Sequence, residues 1–550
     1  MPKSMKTIAI IIVSILFSIA ASAQSPKHEV RAVWLTTIGG IDWPRSHSAQ
    51  RQREELTTTL DKLQRAGVNT VLLQTRIRAT TIFPSAMEPW DYVFTGQADA
   101  SPGYDPLQLA IDECHRRGME LHAWVVTIPV GKWNGPGCRA LRKKNAALVR
   151  KIGDEGFMNP EQPQTADYLA RFCADIVSRY DVDGIHLDYI RYPEQWPKAR
   201  QRGEAATRRQ HITAIVGAVS RAVKSRKPWV RLSCSPIGKY ADLLRYRSGG
   251  WNALNAVSQD AQLWLRQGLM DQLYPMMYFR DNQFFPFAID WQEQSAGRTV
   301  VPGLGIYFLD PREGRWTLSD VTRQMQVARQ IGMGHCFFRS KFLTDNVKGI
   351  YDFTRYFNQT PALTPPLTWM GRQAPLPPSQ LSLADGRLCW QPGQKRNDSP
   401  HLFYNIYASD RYPVDVTRAE NLVATRVEAT RLSVPARPHR YYAVTATDRY
   451  GLESEPCQMG GPAEGQPWLV ADDIIRTDGR RLLLPEKPST LDAQFLVVQT
   501  LQGQAVKLLP YDSKYADISS LPEGIYSLRT LGRKGRNHRL FYFSIRRRNP

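Results

Sequence analysis

Residues 183–193 read DGIHLDYIRYP, a short apolar run that ends in an aspartate, two tyrosines and an arginine. Side chains alternate between the two faces of a strand, so Gly184, His186 and Asp188 share one face. Seven further apolar, β-branched runs recur at 31–37, 70–76, 120–126, 230–235, 271–278, 300–307 and 334–339. The region from 31 to 339 therefore predicts eight strands.

Amphipathic helical stretches lie between several of these runs, at 54–66, 107–114, 166–180 and 321–331. Strands that alternate with helices predict an α/β fold, a closed parallel (β/α)8 TIM barrel. In such barrels the active site lies at the C-terminal ends of the strands. The alternative is an open doubly wound sheet, which needs a glycine-rich phosphate turn after an early strand, and no such turn occurs there.

Two small all-β domains are predicted beyond the barrel. Residues 364–378 contain five prolines, which is typical of a linker. Short strands separated by turn residues follow and predict a small β-sandwich, and a second β-rich block ends the chain. The predicted domains are the barrel at 24–362, the proline-rich linker at 363–378, a first β-domain at 379–459 and a C-terminal β-sandwich at 466–550.

The first 23 residues, 1–23, predict a secretory signal peptide. Two lysines precede an apolar run at 8–20, and residues 21–23 (ASA) form a small-residue cleavage site. We therefore expect an exported protein whose mature chain starts near Gln24. No later stretch is apolar over the roughly 20 residues that a membrane-spanning helix needs, so no transmembrane segment is expected.

The formal net charge is +21. In an exported protein this charge favours an anionic polysaccharide, cell wall or membrane surface as partner, and we expect no nucleic acid. A solvated basic surface without a dedicated partner is the alternative. His122 and His186 lack a third ligand at metal spacing, so we expect no metal and no other cofactor. The oligomeric state is left open.

Asp188 is the principal catalytic candidate because it stands at the C-terminal end of the fourth predicted strand. A carboxylate at the mouth of a barrel can stabilise an oxocarbenium-like centre, attack it or orient a reacting group. The alternative is a structural aspartate that binds a neighbouring strand. Asp183 lies at the opposite end of the same strand and is predicted to be structural.

Four stretches together resemble a bacterial family of secreted barrels, the glycosyl-hydrolase-like ten family. They are RAVWLTTIGGIDWP at 31–44, LLQTR at 72–76, PSAMEPWDYVFTG at 84–96 and DGIHLDYIRYP at 183–193, and the resemblance covers residues 28–360. It implies a (β/α)8 barrel with glycoside hydrolase chemistry on bacterial polysaccharides, peptidoglycan glycan strands among them. The strand that holds Trp390, the NIYAS stretch and the YYAVTATDRYGLES stretch similarly resemble a fibronectin type III domain.

The fourth strand is also similar to two better-understood motifs, and it departs from both. Chitinases carry a catalytic glutamate two residues after the aligned aspartate, where this chain has Ile190. Alpha-amylase-like enzymes place an acid at the end of the fifth strand, where residues 233–236 read SCSP. A second carboxylate must therefore come from elsewhere, and two-carboxylate hydrolysis needs the pair about 5 to 10 Å apart.

Acidic residues in loops after predicted strands are candidates for that second carboxylate: Glu88, Glu194, Asp281 and Asp310. Glu88 and Asp310 rank highest and are predicted to be catalytic together with Asp188. Each could instead be a solvated loop acid or a hydrogen-bond acceptor for substrate. Assistance by an N-acetyl group of the substrate would require fewer enzyme acids.

Aromatic and polar side chains near the strand ends are candidates for binding a sugar chain, because aromatic rings offer flat faces to pyranose rings. Arg76 and Arg191 could pair with a substrate carboxylate, as on the lactyl group of muramic acid, or keep Asp188 ionised. Filling of the barrel is the alternative role. The substrate-binding candidates are Trp34, Gln74, Arg76, His122, Trp124, His186, Tyr189, Arg191, Tyr278 and Tyr307.

We therefore expect a secreted glycoside hydrolase that acts on a bacterial polysaccharide at the mouth of the barrel. The leading alternative is a non-catalytic barrel that binds cell-wall polysaccharide, and a third class is an adhesion or scaffold protein that works through its β-domains. Because the mouth belongs to the barrel, a chain that ends near Pro361 is expected to fold and to keep any catalytic activity.

Overall fold

The structure is a computed structural model that describes residues 25–194, 196, 204–246, 248–435, 440–459, 474–477, 480–484, 493–500, 505–511, 514–532 and 539–545. The signal peptide expected at 1–23 lies outside these residues. The chain divides into two compact units. Met1–Ser409 and Val414–Met459 form the first, and Asp410–Pro413 and Gly460–Pro550 form the second.

A curled parallel sheet lies at the centre of the first unit. Its strands are β1 (Arg31–Leu35), β2 (Thr70–Arg76), β3 (Glu120–Val126), β4 (Gly184–Asp188), β5 (Arg231–Cys234), β6 (Gln272–Leu273), β7 (Thr299–Val300), β8 (Gly303–Leu304) and β9 (His335–Phe337). The strand order is β7-β6-β5-β4-β3-β2-β1-β9-β8. Met276 bridges Gly303, and β7 and β8 are parts of one stretch, so residues 299–304 join the two edges of the sheet.

Helices follow most of these strands. They are α1 (Ala49–Arg65), α2 (Pro106–His115), α3 (Pro136–Lys144), α4 (Pro163–Arg179), α5 (Ala205–Lys224), α6 (Ala253–Ala256), α7 (Ala261–Arg266), α8 (Phe285–Glu293), α9 (Leu318–Gln330), α10 (Ser340–Thr344) and α11 (Ile350–Phe357). A small antiparallel sheet of Pro129–Lys132, Val149–Ile152 and Glu155–Met158 follows β3. The parallel strands and intervening helices confirm the predicted α/β barrel.

Two separate apolar layers show which residues face the inside of the barrel. Leu72 and Trp124 belong to the inner cluster, together with Trp34 and Tyr274. Val71, which neighbours Leu72 in β2, belongs to the larger cluster between the sheet and the helices. This alternation follows from the two-residue period of a strand, and it aims Asp188 at the mouth of the barrel.

The seventh predicted strand differs from the expectation. The run 300–307 contributes only to β7 and β8, and it ends in a 3-10 helix at Ile306–Leu309. Pro302 separates the two short strands, because proline has no N–H group to donate to a ladder. The run 271–278 is likewise shortened to β6, ahead of Pro275.

Local chemistry sets the bounds of α2. Asp105 caps the helix by accepting hydrogen bonds from the backbone N–H groups of Leu107 and Gln108. The chain then turns through Gly118, whose φ of +71° favours glycine. A Cβ atom at Gly118 would also lie 2.7 Å from the carbonyl oxygen of Thr425. The glycine therefore lets this turn pack closely against the strand that contains Thr425.

A β-domain completes the first unit. Its strands are β10 (Ser379–Ala384), β11 (Arg387–Gln391), β12 (Phe403–Ser409), β13 (Leu422–Val427), β14 (Arg431–Ser433), β15 (Tyr441–Thr447) and β16 (Cys457–Gln458). They form two sheets, ordered β10-β11-β14 and β13-β12-β15-β16. Trp390, Tyr404 and Ile406 are among the buried residues between them. The finer assignment to the fibronectin type III class stays a prediction.

Buried ion pairs join the β-domain to the N-terminal end of the barrel. Arg426 of β13 binds Asp183 at 2.6 Å and lies 3.5 Å from Glu120. Arg449, which follows β15, lies 3.4 Å from Asp183, and His115 lies 2.7 Å from it. Burial alone would raise the pKa of Asp183, but Arg426, His115 and Arg449 hold it well below the ordinary value. Buried ion pairs of Arg426 and Arg449 with barrel carboxylates therefore hold the β-domain against the barrel.

The second unit contains small sheets of its own. A sheet of five strands has Ile474–Thr477, Arg539–Ile545, Gly524–Gly532, Ala493–Thr500 and Ala505–Pro510 in that order, and Arg481–Leu483 pairs with Tyr515–Asp517. Leu496, Val498 and Phe543 lie in its core. Among the helices of the described residues, none combines the length and the apolar character needed to cross a bilayer.

Candidate active site

Asp188 ends strand β4 at the C-terminal end of the barrel, and both of its carboxylate oxygens accept hydrogen bonds. Ser235 donates from Oγ to Oδ1 at 2.6 Å, and the backbone N–H of Tyr189 donates to the same oxygen at 2.8 Å. Trp124 donates from Nε1 to Oδ2 at 3.1 Å. These donors fix the orientation of the carboxylate, as a group that acts on a bound substrate requires.

Burial changes the acidity of Asp188. The residue is 7% exposed. Burial raises the pKa of its carboxyl group above the ordinary value of 3.8, while the Ser235 hydrogen bond and the positive charge of Arg191 oppose that rise. A carboxylate in such a place interacts strongly with any positive charge that develops next to it, because little water screens the interaction.

An arginine whose charge acts on Asp188 lies close to two aromatic rings, and we call Tyr189, Arg191 and Trp251 the rim platform. Tyr189 has a φ of 52°, in the left-handed region, so the chain turns directly after β4. The Arg191 guanidinium lies 4.0 Å from the centroid of the Tyr189 ring and 5.8 Å from that of Trp251. The two rings are 38% and 47% exposed, so the platform offers aromatic surface to a ligand.

Three aromatic side chains at the C-terminal end of the barrel contact one another: Tyr278 after β6, Tyr307 after β8 and Phe338 after β9. Tyr278 stacks on Phe338 with ring centroids 5.4 Å apart and meets the edge of Tyr307 at 5.7 Å. Burial raises the pKa of Tyr278 well above 10.0, with a smaller contribution from the charge of Asp188. Burial also raises the pKa of Tyr307 to about 12. Both phenols are therefore neutral hydrogen-bonding groups, and Tyr278 lies within the electrostatic reach of Asp188.

Trp34 and His186 lie deeper in the barrel, below the level of Asp188. Trp34 donates from Nε1 to Nε2 of His186 at 3.2 Å, and Nδ1 of His186 lies 2.9 Å from the hydroxyl of Ser233. Burial, followed by the neighbouring His122, lowers the pKa of His186 well below 6.5. A neutral histidine whose two nitrogens both have partners fills the barrel and supports the layer that carries Asp188.

Two other predicted sugar contacts also have protein partners. His122 is fully buried toward the N-terminal end of the barrel, where Nε2 lies 3.1 Å from Oε2 of Glu120. Gln74 uses Oε1 to accept hydrogen bonds from the backbone N–H groups of Thr37 and Ile38, at 3.0 and 2.9 Å. The structure thus places Gln74 where it holds the loop after β1, and it places His122 away from the mouth.

Arg76 and Glu88 form a buried ion pair outside the barrel sheet. Simple alternation would put Arg76 on the same face as Gln74, but the pairing of β2 with β3 shifts between these residues. Such a bulge re-aims the following side chain. Arg76 then donates from Nε and Nη2 to Glu88 at 2.7 to 2.9 Å, and Tyr168 of α4 donates to the same carboxylate at 3.0 Å. The hydrogen bonds given for Glu88 are with Arg76 and Tyr168, and none of them involves Asp188 or its donors.

Replacing Glu88 with glutamine is expected to lower stability and to leave catalysis largely intact. The amide keeps the shape but loses the charge opposite a fully buried Arg76, which should cost about 2 kcal/mol of unfolding free energy. Urea unfolding and turnover measured on the same sample check this. A hundredfold loss of turnover at unchanged stability would instead make Glu88 the second catalytic carboxylate.

The remaining acidic candidates pair with arginines. Asp310 accepts two hydrogen bonds from the Arg312 side chain, at 3.1 and 2.7 Å, and these lower the pKa of Asp310 to about 2. Asp281 lies 3.6 Å from Arg323. Glu194 accepts the 2.5 Å hydrogen bond from Nη2 of Arg191, next to the rim platform. Among these acids, only Glu194 is tied to a residue of the rim platform.

Sequence reasoning missed three members of the site. Ser235 orients Asp188 from the position after β5 where alpha-amylase-like enzymes place an acid. Trp251 lies in the long loop after β5, and Phe338 follows β9 directly. The sequence feature that could have identified these three residues is their position after the C-terminal ends of predicted strands. The loops at those ends build the active sites of barrels. Within the described residues, no group of three or more metal-binding side chains is arranged around a common point.

Solved glycosidase structures share the general form of this chain at low similarity. The glycoside hydrolase domain of PgaB (BpsB) from Bordetella bronchiseptica is 14% identical with a TM-score of 0.44, over 59% of this chain and 98% of that one. The endo-beta-1,4-mannanase of Thermotoga petrophila is 9% identical with a TM-score of 0.41, over 96% and 99%. Identities and TM-scores as low as these give no information about any reaction that this chain catalyses.

Two relatives are more informative. The chain is 27% identical over 482 residues to "Glycosyl hydrolase YngK" of Bacillus subtilis (strain 168), which covers 79% of this chain and 93% of that protein. It is 32% identical over 299 residues to "Glycosyl hydrolase DigH" of Escherichia coli (strain K12), over 47% and 67%. Residues 29–308, which hold β1 to β8 and Asp188, match the profile described as "Glycosyl hydrolase-like 10". The chain therefore belongs to the glycosyl hydrolase-like 10 family.

Proposed function

We propose that this protein is an exported glycoside hydrolase that cleaves a bacterial wall polysaccharide at the mouth of its barrel. The observation that carries the proposal is the Asp188 carboxylate, which is buried, oriented by three donors and bordered by exposed aromatic rings. The names of the two relatives and the family agree with this chemistry. The expected signal peptide supports export.

Asp188 would act on the positive charge that develops at the anomeric carbon when a glycosidic bond breaks. A fixed carboxylate lowers the barrier because it is already oriented when that charge appears. Glu88, Glu194 and Asp310 each pair with an arginine, and the described contacts give Asp188 no direct carboxylate partner. Participation by an N-acetyl group of the substrate would then supply the nucleophile, whose carbonyl oxygen bonds to the anomeric carbon as the glycosidic bond breaks and the leaving oxygen takes a proton from water. A second water would open the resulting ring, with Asp188 orienting and stabilising the N-acetyl group.

The rim platform supports an anionic glycan as substrate. Arg191 is 3% exposed, and its Nε and Nη1 atoms have no hydrogen-bond partner within the described residues. The guanidinium lies over the Tyr189 ring and 5.8 Å from the centroid of Trp251, and its charge acts on Asp188. A sugar that stacks on the exposed rings would bring a carboxylate within reach of this arginine, with a small movement of Tyr189. Peptidoglycan glycan strands, whose muramic acid carries a lactyl carboxylate, fit this description.

The substrate is tested by comparing purified glycans. We expect new reducing ends from peptidoglycan glycan strands, and at least tenfold lower kcat/KM on strands whose lactyl carboxylates have been reduced to alcohols. Equal rates on both would remove the role given to Arg191. Cleavage of neutral glucans or mannans at a higher rate than wall glycans would contradict the substrate class.

A non-catalytic wall-binding barrel is the second candidate, and one observation favours it. The four candidate acids, Glu88, Glu194, Asp281 and Asp310, each pair with an arginine, so the two-carboxylate arrangement of most glycosidases is not assembled among them. This function predicts that wild-type protein binds wall glycans and releases no reducing ends from any of them. The same glycan comparison therefore separates the two functions.

A further inference from the structure

A groove of about 1140 Å³ lies on the side of the first unit opposite Asp188. One wall comes from the barrel, at the turns that precede β2 and β3 and along α11. The other wall comes from strand β13 of the β-domain and the turn that leads to Arg431. Both walls belong to the same compact unit, so the groove is a feature of one body.

The floor of the groove is held closely together. A Cβ atom at Gly67 would lie 2.7 Å from Cβ of Asn358, and one at Gly118 would lie 2.7 Å from the carbonyl oxygen of Thr425. Behind this floor, Arg426 is tied to Asp183 by a 2.6 Å ion pair. Close backbone approach and a buried ion pair make the groove a preformed surface, which lowers the entropy cost of binding a ligand.

Arginines give the groove a positive field. Arg65, Arg355 and Arg431 are exposed along its walls, and within the described residues none of them forms a salt bridge. The acidic residues that line it are Asp352 and Glu428. The arginines come from separate segments of the chain, so folding gathers the charge in one groove and a ligand there would be attracted by several cations at once.

The groove also offers groups that recognise sugars. Tyr356 is 72% exposed and Val423 is 40% exposed, so each presents apolar surface. Gln64 and Gln359 add exposed amides to the same lining. Aromatic faces stack on the C–H surface of pyranose rings, and amides donate to and accept from sugar hydroxyls.

We propose that this groove is a second, non-catalytic binding site for an anionic polysaccharide. Strand β2 has seven residues, and a strand rises about 3.3 Å per residue, so about 20 Å separates the groove from the end that carries Asp188. A polysaccharide chain bound in the groove therefore tethers the enzyme. This binding is separate from the cleavage of a glycosidic bond at the mouth of the barrel. The groove keeps the enzyme on a charged polymer while the mouth acts elsewhere on it.

The two acidic residues favour a polysaccharide over a nucleic acid. A nucleic acid carries a phosphate on every nucleotide, so Asp352 and Glu428 would face a continuous line of like charge. A glycan with carboxylates on only some of its sugars leaves hydroxyl groups between them. Those hydroxyls can donate to Asp352 and Glu428 while the arginines bind the carboxylates.

The test uses the full-length mature protein and hyaluronate, a soluble polysaccharide that carries a carboxylate on every second sugar. A groove variant with Arg65→Ala, Arg355→Ala and Arg431→Ala is compared with a control variant with Arg139→Ala, Arg221→Ala and Arg266→Ala, which removes three exposed arginines outside the groove. We expect at least tenfold weaker binding in the groove variant and less than twofold in the control. Tyr356→Ala, which leaves the charge unchanged, should weaken binding about threefold.

Several outcomes would overturn this proposal. An equal loss in both triple variants would mean that total charge, and no particular groove, binds the polymer. Unchanged binding in the groove variant would remove the site. Groove-dependent binding of single-stranded DNA or anionic lipid vesicles that is tighter than hyaluronate binding would make the ligand class wrong. Because short soluble glycans do not reach the groove, their turnover at Asp188 reports on the proposed catalytic function separately.

Discussion

Asp188→Asn is expected to lower glycan turnover by at least about a hundredfold while the protein stays folded and still binds glycan. The amide keeps the shape of the side chain and removes the negative charge. A hundredfold loss corresponds to about 3 kcal/mol of barrier, which is a reasonable share for one fixed charge beside a developing cation. Binding of the ground-state glycan should change much less, because the positive charge appears only in the transition state.

Three measurements on one sample distinguish a catalytic role of Asp188 from a structural role. Turnover, glycan affinity and melting temperature are measured for Asp188→Asn and for Asp281→Asn, a matched exposed aspartate after β6 whose partner is Arg323. The control should keep normal turnover. A structural Asp188 would lower all three quantities together, and near-normal turnover in Asp188→Asn would end its catalytic assignment.

The acidity of Asp188 adds a pH dependence to this prediction. Burial raises its pKa above 3.8, and the ionised form is the one that stabilises positive charge. Activity should therefore fall as the pH drops through the raised pKa, with the midpoint of the acidic limb of kcat/KM above 3.8. A limb at or below 3.8 would show that another group controls the reaction.

Arg426→Ala is expected to lower the free energy of unfolding by about 4 kcal/mol, because it removes one cation from buried carboxylates. Asp183 and Glu120 are 3% and 1% exposed in this network. Taking away one partner of a buried pair typically costs 3 to 5 kcal/mol. Arg431→Ala, an exposed arginine on the next strand, should change stability by less than about 0.5 kcal/mol. Guanidinium unfolding of both variants checks the difference.

The effect of Arg426→Ala should depend on pH. The charge of Arg231, the hydrogen bond with His122 and the charge of Arg426 lower the pKa of Glu120 to about 2 from an ordinary value of 4.5. Arg426, His115 and Arg449 lower the pKa of Asp183. Groups with lowered pKa values stabilise the fold above their unfolded pKa and lose that contribution as the pH falls through the folded one. The stability difference should thus shrink from pH 4.5 towards 2. A difference that stays constant in this range would mean that packing, and not charge, holds the β-domain.

This network bears on the expectation that a chain ending near Pro361 folds by itself. Such a chain lacks Arg426 and Arg449 and would leave Asp183 with His115 as its remaining cationic partner. The sequence could not reveal this, because the contacts join residues that are 243 and more positions apart. We now expect the shortened barrel to be markedly less stable than the full first unit.

Much of the barrel was predictable because its strands and helices repeat with clear periods. The position of Asp188 followed from strand alternation and from the rule that barrels act at their C-terminal ends. Arg76 shows where this reasoning stops, since a bulge in the pairing of β2 with β3 re-aims it toward Glu88. Nothing in the local sequence marks that bulge.

The residues that bind Asp188 and complete the rim platform show a second limit. Ser235 and Trp251 come from the chain after β5, and their approach to β4 depends on how two strands and a long loop are placed in space. A serine and a tryptophan in a loop carry no periodic signal. Their roles follow only from the positions of the carboxylate and of the neighbouring strand ends in the folded structure.

The most direct test of the central claim is hydrolysis of purified peptidoglycan glycan strands in water labelled with heavy oxygen. If the protein hydrolyses glycosidic bonds through Asp188, mass spectrometry should find one heavy oxygen at each new reducing end with the wild-type protein, and almost none with Asp188→Asn. Wild-type protein that binds these strands tightly and releases no labelled product would contradict the account and leave a wall-binding barrel in its place.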